Sequence, residues 1–493
     1  MEFDLALVSL PAFTQKCPSI GLATLAAYLK DRYHILCYDY GIEFYKTALP
    51  QFTVTDPLIQ MLKLSLYPLW GASNWVGLPD TINPEIGQAL LKSLCPVCSA
   101  LYQPIFTEFT NQRALTQTIL ESYASRLIAL DVNNYGFSLM SGNAVASLYV
   151  IKRIKEEKPD ATIIVGGPET SPYYRAEFYS QMKEIDFTIY PAEGQIPLDR
   201  TLSFLKGNLA KKSDIPGVYF KTKEGIQRTA PPPPLDLNNA PIPEFSIIEP
   251  HSYNLSSIDL LASTGCPYHC RFCNEPLIWG SYRPKSQKRI MDEIQHYIHS
   301  YGTTQFELGD NTFGASPSFF PALEQLTQDG VKFEWAGNCR INELNASRIS
   351  KYRQFGLTHC YFGIESASPK VLALMAKQYD IQRARTILKA CHEHQVRSTL
   401  YFMVGFPGET SDEFQKTCNF IDENREYISD ILTSVFTLMP GTSMMTSPDL
   451  YPVQFSPKYL NAFTYHSNDG ITHADRKERF LQLRGRWDNT AKV

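Results

Sequence analysis

The run Ser-Thr-Gly-Cys-Pro-Tyr-His-Cys-Arg-Phe-Cys-Asn, from Ser263 to Asn274, decides how the rest of this chain is read. Cys266, Cys270 and Cys273 follow a C-x3-C-x2-C spacing, so one short loop supplies three thiolates. An iron–sulfur cube takes four protein thiolates, and a loop offering three leaves one iron open to a cofactor or substrate. Structural zinc wants four closed ligands, usually from paired Cys or Cys/His sets about ten or more residues apart. No second pair follows Cys273 at that distance, and His269 inside the loop would close a zinc site only with strained geometry. The spacing favours a cluster.

Outward from the loop, strands and helices alternate. The alternating pattern predicts strands at Ile258–Ala262, Gln305–Leu308, Lys332–Trp335, His359–Ile364, Ser398–Val404 and Ile431–Leu438. Helices are expected near Lys288–Ser300, Pro317–Gln328, Ala346–Phe355, Ile381–Glu393 and Ser411–Asn424. Six strands with intervening helices predict a partial (β/α)6 barrel, with the cysteine loop after the first strand. Chemistry in α/β barrels sits at that carboxyl edge.

The cysteine loop, with Phe272 before its last cysteine, resembles the signature of the radical S-adenosylmethionine (SAM) enzymes. The resemblance implies a [4Fe-4S] cluster on Cys266, Cys270 and Cys273 whose open iron chelates SAM. It also implies reductive cleavage of SAM to a 5′-deoxyadenosyl radical that abstracts hydrogen from unactivated carbon. Further stretches agree with it. Gly309 and Asp310 stand at a turn whose backbone meets the SAM amino group in relatives, and Asn338 and Arg340 resemble a polar pair facing SAM or substrate. Gly363-Ile-Glu-Ser366, with Val371-Leu372 and Met375-Ala-Lys377, resembles a family stretch in which Glu365 and Ser366 meet SAM. Gly405-Phe-Pro-Gly-Glu-Thr410 resembles a turn in which Gly405 and Pro407 lie against adenine.

The N-terminal third predicts a Rossmann-like parallel sheet. Its strands are expected at Leu5–Val8, His34–Tyr38, Tyr135–Met140, Thr162–Val165 and Asp186–Tyr190. Leu22, Leu25, Ala26 and Leu29 fall at helical spacing, and Ala144–Glu157 is a second helical stretch. Ligands of such sheets bind beyond the strands' carboxyl ends. Small residues stand there, and their order resembles the cobalamin-binding domain that precedes many radical SAM domains. The resemblance implies cobalamin contacts at Ser138, Met140, Gly166, Gly167, Glu193 and Gly194. The loop that supplies a histidine to cobalt in that family is missing from Phe13–Gly21, so any cobalamin would have no such lower ligand. No G-x-G-x-x-G follows the first strand, which argues against a dinucleotide site.

Four domains are expected: residues 1–210, with a helical insertion at about 41–113; a proline-rich linker at 211–250; the barrel at 251–440; and an extension at 441–493. Ala230-Pro-Pro-Pro-Pro234 favours extended polyproline II. The insertion carries Cys95 and Cys98, read as packing cysteines for want of a second ligand pair.

At 493 residues the chain exceeds one hydrophobic core. A net charge of -4 gives no electrostatic footprint for nucleic acid or an anionic membrane. No apolar run reaches membrane-spanning length, and the eleven cysteines lack disulfide-like regularity, which predicts a reducing, cytoplasmic setting. Methylthiotransferases are set aside because the additional N-terminal three-cysteine site they carry is not seen here.

The leading expectation is a radical SAM enzyme that modifies an unactivated carbon of a natural product or peptide by cobalamin-dependent methyl transfer. An external electron donor such as flavodoxin or ferredoxin would reduce the cluster. The alternative is a non-methylating epimerase or oxidative cyclase. An epimerase needs a hydrogen-donating thiol, for which Cys339, Cys360, Cys391 and Cys418 are the candidates.

Overall fold

The computed structural model describes residues 3–11, 17–44, 113–140, 143–173, 175–249, 257–439, 441–447, 450–451, 453–455, 465–467 and 469–488. The Cys95–Cys98 pair and most of the expected insertion lie outside the described residues. The chain falls into two compact units, divided between Asn254 and Leu255 in the sequence.

In the first unit β1 (Leu5–Ser9), β2 (Ile35–Asp39), β3 (Asn134–Ser138), β4 (Thr162–Gly166) and β5 (Phe187–Ile189) pair in parallel in the order β5-β4-β3-β1-β2. Every residue of β1 is buried, as a central strand covered on both faces should be. The covering helices include α1 (Ile20–Leu29), α2 (Arg113–Ile128), α3 (Ala144–Glu157), α4 (Ala176–Gln181) and α5 (Gln195–Leu205). Ser19 starts α1 by accepting the Leu22 N–H at 3.4 Å. Val8, Tyr135, Phe137, Ile151 and Ile163 meet in one apolar cluster between sheet and helices. Strand order reverses between β1 and β3, so the carboxyl edge there is the ligand-binding crevice of this topology.

The stretch expected as a linker contributes three strands instead. A hairpin of β6 (Val218–Thr222) and β7 (Gly225–Arg228) pairs antiparallel on β5, and β8 (Ile248–Glu249) pairs parallel on β2. Val218 and Phe220 point inward on alternate positions, and Lys223-Glu224 makes the turn. The prolines at 231–234 have no regular secondary structure between these strands.

The second unit holds β9 (Ser257–Leu260), β12 (Gln305–Leu308), β13 (Glu334–Cys339), β14 (Leu357–Glu365), β15 (Arg397–Val404) and β16 (Asp430–Val435). All pair in parallel in sequence order, as a partial barrel requires. Helices α7 (Gln287–Tyr301), α8 (Phe319–Gln328), α9 (Ala346–Gln354), α11 (Ile381–Glu393) and α12 (Ser411–Glu423) connect them. Two shorter helices, α6 (Glu275–Trp279) and α10 (Pro369–Met375), flank the site. The third strand begins and ends later than the expected Lys332–Trp335. Gly337-Asn338-Cys339 has little intrinsic strand preference, and pairing with β14 carries it.

On β14, Cys360, Phe362 and Ile364 are fully buried, whereas Tyr361, Gly363 and Glu365 are partly open. The period of two thus sorts the strand into a helix-facing side and a lumen side. A last helix, α13 (His473–Asp488), packs beside β16 and β15. No helix among the described residues is long and apolar enough to cross a membrane.

Candidate metal centre

The cysteine loop is pinned at its entrance. After β9 the chain enters a two-stranded ladder of β10 (Ser263–Thr264) with β11 (Arg283–Pro284). Lys285 donates its N–H to Ala262 O at 2.9 Å, and its buried ammonium bonds Glu293 of α7 at 2.7 Å. Arg289 binds the other oxygen of Glu293 at 2.6 Å, so the carboxylate is fully paired. Gly265 adopts φ +75°, and a Cβ there would stand 3.2 Å from Ser281 O. Asp310, from the end of β12, is completely buried and accepts the Ala262 N–H at 2.8 Å and the Ser263 hydroxyl. Burial pushes its carboxyl up to about 6 against the opposing pull of those hydrogen bonds.

The loop is also tied at its far side. Cys273 N–H reaches Cys270 O at 3.0 Å, and Arg271 N–H reaches Met375 O, at the end of α10, at 3.1 Å. Phe272 packs against the cluster of Val371, Met375, Phe406 and Phe436. Cys266, Cys270 and Cys273 are all free thiols of intermediate exposure. Desolvation raises the Cys266 thiol and pushes Cys273 up to about 12, so metal binding must supply the free energy to deprotonate them.

Opposite the loop, Arg340 follows directly on β13. Its Nη1 donates to Cys270 Sγ at 2.9 Å, its Nη2 donates to Lys377 O, and its Nε meets Asn342 Oδ1 at 3.4 Å. The guanidinium lies 3.9 Å above the centre of the Tyr268 ring. Glu343 stands behind it, accepting the Arg340 N–H at 3.2 Å and the Thr312 hydroxyl.

Glu365 ends β14 with φ +64°, a left-handed conformation rare for a non-glycine residue and costing about 1–3 kcal/mol. Lys377 holds its carboxylate at 2.9 Å and donates to Gly363 O at 2.8 Å. The lumen side continues with Tyr361, stacked within 5° of Tyr401 at 6.3 Å and hydrogen-bonded to Glu307. Asn338 donates to Asp310 O at 3.3 Å, and Gly309 is exposed, its N–H on Leu260 O at 3.0 Å.

Other expected contact residues have structural duties. Ser366 is fully buried and faces Thr417 of α12 at 3.4 Å. Gly405 has φ +73°, and a Cβ there would lie 2.3 Å from Arg476 Cγ of α13; Pro407 beside it is buried. The thiols of Cys339, Cys360, Cys391 and Cys418 are at most 3% exposed. Cys360 points to the side of β14 opposite Tyr361 and Glu365, and Cys391 and Cys418 lie on the buried faces of α11 and α12.

In the first unit, Asn143 ties the crevice together. It donates to Leu10 O at 3.1 Å and Ser138 O at 3.0 Å, and accepts the Met140 N–H at 2.8 Å. Gly167 has φ +105°, and a Cβ would stand 2.6 Å from Leu139 O. Gly166 and Gly194 are less constrained, their nearest side-chain neighbours being Ile189 at 3.5 Å and Leu25 at 3.7 Å. Glu193 accepts the Leu235 N–H at 3.2 Å.

Sequence reasoning missed Tyr268, Lys377 and Glu343 as site residues. Lys377 stood in a quoted motif without a role, and only the three-dimensional return of the chain brings Glu343 beneath Arg340.

The donor set fits a four-iron cluster better than a single ion. Among the described residues, no three His, Cys, Asp or Glu side chains converge on a point that one ion would occupy. In a cube each thiolate binds its own iron, so such convergence is not needed. Asn274, next to Cys273, is 4% exposed, and its Nδ2 finds no partner among the described residues. With the Arg340 cation, it gives the loop the surroundings an anionic cluster requires.

Residues 260–421 match the family model of the radical SAM superfamily. An uncharacterized methyltransferase of Pyrococcus horikoshii is 26% identical over 313 residues, covering 61% of this chain and 66% of that protein. The anaerobic magnesium-protoporphyrin IX monomethyl ester cyclase of Cereibacter sphaeroides is 22% identical over 333 residues, covering 65% of this chain and 54% of that one. The chain therefore spans between about half and two thirds of the length of these relatives. Among solved structures, the radical SAM methyltransferase TsrM of Kitasatospora setae, with cobalamin and a [4Fe-4S] cluster bound, superposes with a TM-score of 0.63. The match covers 97% of this chain and 85% of that one at 14% identity, a likeness of fold.

Proposed function

Since the chain carries a radical SAM superfamily domain, we propose that it is a SAM-cleaving enzyme that modifies an unactivated carbon by cobalamin-dependent C-methyl transfer. The observation that carries this reading is the loop of three free cysteines at the carboxyl end of the first strand of a six-strand parallel barrel. Cys266, Cys270 and Cys273 would hold the cluster. When bound, a four-iron cluster with one open iron supplies reductive cleavage of SAM, and a corrinoid supplies a methyl carrier.

The chain's own residues account for the rest. Glu365 offers a carboxylate at the barrel mouth, and Lys377 fixes its direction. Asn338 and the exposed backbone of Gly309 supply further polar contacts for SAM. Phe272 packs the loop against the apolar cluster and keeps water from that side. In the first unit, Ser138, Met140, Gly166, Gly167, Glu193 and Gly194 surround the carboxyl edge proposed for the corrinoid tail. One relative named above is a cyclase of a tetrapyrrole ester, and a tetrapyrrole, a peptide or another natural product is compatible with the aromatic lumen of Tyr361 and Tyr401. A flavodoxin or ferredoxin would serve as electron donor, in the reducing, cytoplasm-like setting that nine free cysteines among the described residues suit. No observation favours the epimerase reading, because its four candidate thiols are buried: Cys360 on the side of β14 away from the lumen, Cys339 at the end of β13, and Cys391 and Cys418 on the buried faces of α11 and α12.

The test is iron, sulfide, cobalt and corrinoid content on protein prepared anaerobically with cobalamin supplied, followed by incubation with SAM and a strong reductant. Four irons, about one corrinoid and release of 5′-deoxyadenosine are expected. A full cluster without corrinoid would overturn the methyl-transfer half, and absence of a four-iron cluster would overturn the whole reading.

A further inference from the structure

Arg340 is buried, 8% exposed, and every nitrogen of its guanidinium is committed. Nη1 points at Cys270 Sγ from 2.9 Å, Nη2 is held by Lys377 O, and Nε by Asn342. Its face rests on Tyr268, a residue of the cysteine loop itself, at 3.9 Å. Glu343, 7% exposed, accepts its backbone N–H and sits behind it. A side chain fixed from four directions does not swing to meet a mobile ligand. It presents one donor and one positive charge to one sulfur.

From this geometry we infer that Arg340 sets the reduction potential of the cluster through the sulfur of Cys270. The inference rests on the four-iron reading above and assigns Arg340 to the cluster, not to SAM. One electron from a low-potential donor of the flavodoxin or ferredoxin class enters the cube, whose net charge becomes one unit more negative. No bond forms or breaks and no proton moves. A nearby fixed cation and an N–H donor to a ligand sulfur both stabilise the more negative state, so Arg340 raises the potential. Burial keeps solvent and salt from screening that effect. Arg340 is a positioning and tuning residue, and Tyr268 and Glu343 hold it in place.

The experiment is a redox titration of the reconstituted holoenzyme followed by electron paramagnetic resonance of the reduced cluster, without SAM. Wild type is compared with Arg340→Met and Arg340→Lys, and iron and sulfide are counted in each. At a fixed ambient potential, Arg340→Met should show about a tenfold lower ratio of reduced to oxidised cluster, a shift of about 59 mV to more negative potential. Arg340→Lys keeps the charge without the fork and should fall between the two. A wild-type midpoint in Arg340→Met with a full cluster overturns the inference and leaves the proposed function standing. Loss of the cluster from both variants overturns it in favour of a purely structural role. A wild-type protein that takes up no four-iron cluster fails the proposed function instead.

Discussion

The two units build the carboxyl ends of their parallel strands differently. In the barrel, the carboxyl edge offers the partly open side chains of Glu365, in a strained left-handed conformation, and Tyr361, toward the lumen, beside the exposed backbone of Gly309. In the N-terminal sheet the corresponding edge binds itself. Asn143 takes up the Leu10 and Ser138 carbonyls, Leu139 donates to Gly166 O at 2.7 Å, and Gly167 lets the Leu139 carbonyl come close. The same signal, small and polar residues after a strand, therefore means different things in the two places. Both edges keep their motif residues partly open, but the barrel places strain on a non-glycine residue, Glu365, whereas the first unit gives its left-handed position to Gly167 and ties its backbone through Asn143.

The largest expected effect would separate the two edges outright. Cys270→Ala should lose iron, sulfide and SAM cleavage while keeping whatever corrinoid the wild type binds. Metal and corrinoid analysis of one preparation checks this. Joint loss of both groups would mean that the edges are not independent sites.

Next is the turn after β15, which the resemblance gives to adenine. Glu409 is 1% exposed, pairs with Arg479 of α13 at 2.9 Å and accepts the Gly405 N–H at 2.8 Å. Removing one partner of such a buried pair strands the other charge, at about 3–5 kcal/mol. Glu409→Ala should lower the denaturant midpoint accordingly. An unfolding free energy within about 0.5 kcal/mol of wild type would mean that the α13 contact is not formed in solution.

The glycines of the first unit give a sharper contrast. Gly167→Ala would add a Cβ 2.6 Å from Leu139 O in a left-handed conformation, costing about 1–3 kcal/mol for strain and a similar amount for overpacking. Gly194→Ala meets nothing nearer than 3.7 Å at φ -85° and should fold as well as wild type. If the edge holds a corrinoid tail, Gly194→Ala should lower corrinoid content at unchanged melting temperature. Equal melting and equal corrinoid in both variants would remove the basis for assigning either glycine.

Much of this architecture was legible because buried parallel strands are short apolar runs. Leu5–Ser9 and Thr162–Gly166 show that pattern plainly, and Ala144–Glu157 and Ile381–Glu393 show helical spacing from end to end. The hairpin at Val218–Arg228 and the edge strand at Ile248 escaped notice because prolines around them read as a spacer. Side-chain pairing was less legible still. The motif positions of Arg340, Lys377 and Gly405 stood out, but their partners at Cys270, Glu365 and Arg476 lie 70, 12 and 71 residues away. No local period encodes such meetings, which arise only when strand ends converge.

Asp310 offers the smallest and most specific test, because it divides structural from ligand-binding duty within the barrel edge itself. Burial raises its carboxyl from 3.8 to about 6 in the folded protein. The folded state therefore holds the proton more tightly than the unfolded state. The stability this contributes is fully present below about pH 4 and is lost as pH rises through about 6, a swing of at most about 3 kcal/mol. Carboxylates held low by partners, such as Glu413 beside Ser368 and Asp475 beside Thr472, act in the opposite sense, so the total curve of the wild type mixes both. The difference between wild type and Asp310→Asn isolates this one group. Denaturation at pH 4, 5, 6 and 7 should show the wild type losing stability relative to the variant as pH rises, with the change centred between 4 and 6. A pH-independent difference would mean that Asp310 titrates normally, open to water, as a residue facing a ligand would. The predicted slope would instead mark it as the clamp on Ala262 and Ser263 that aims the cysteine loop.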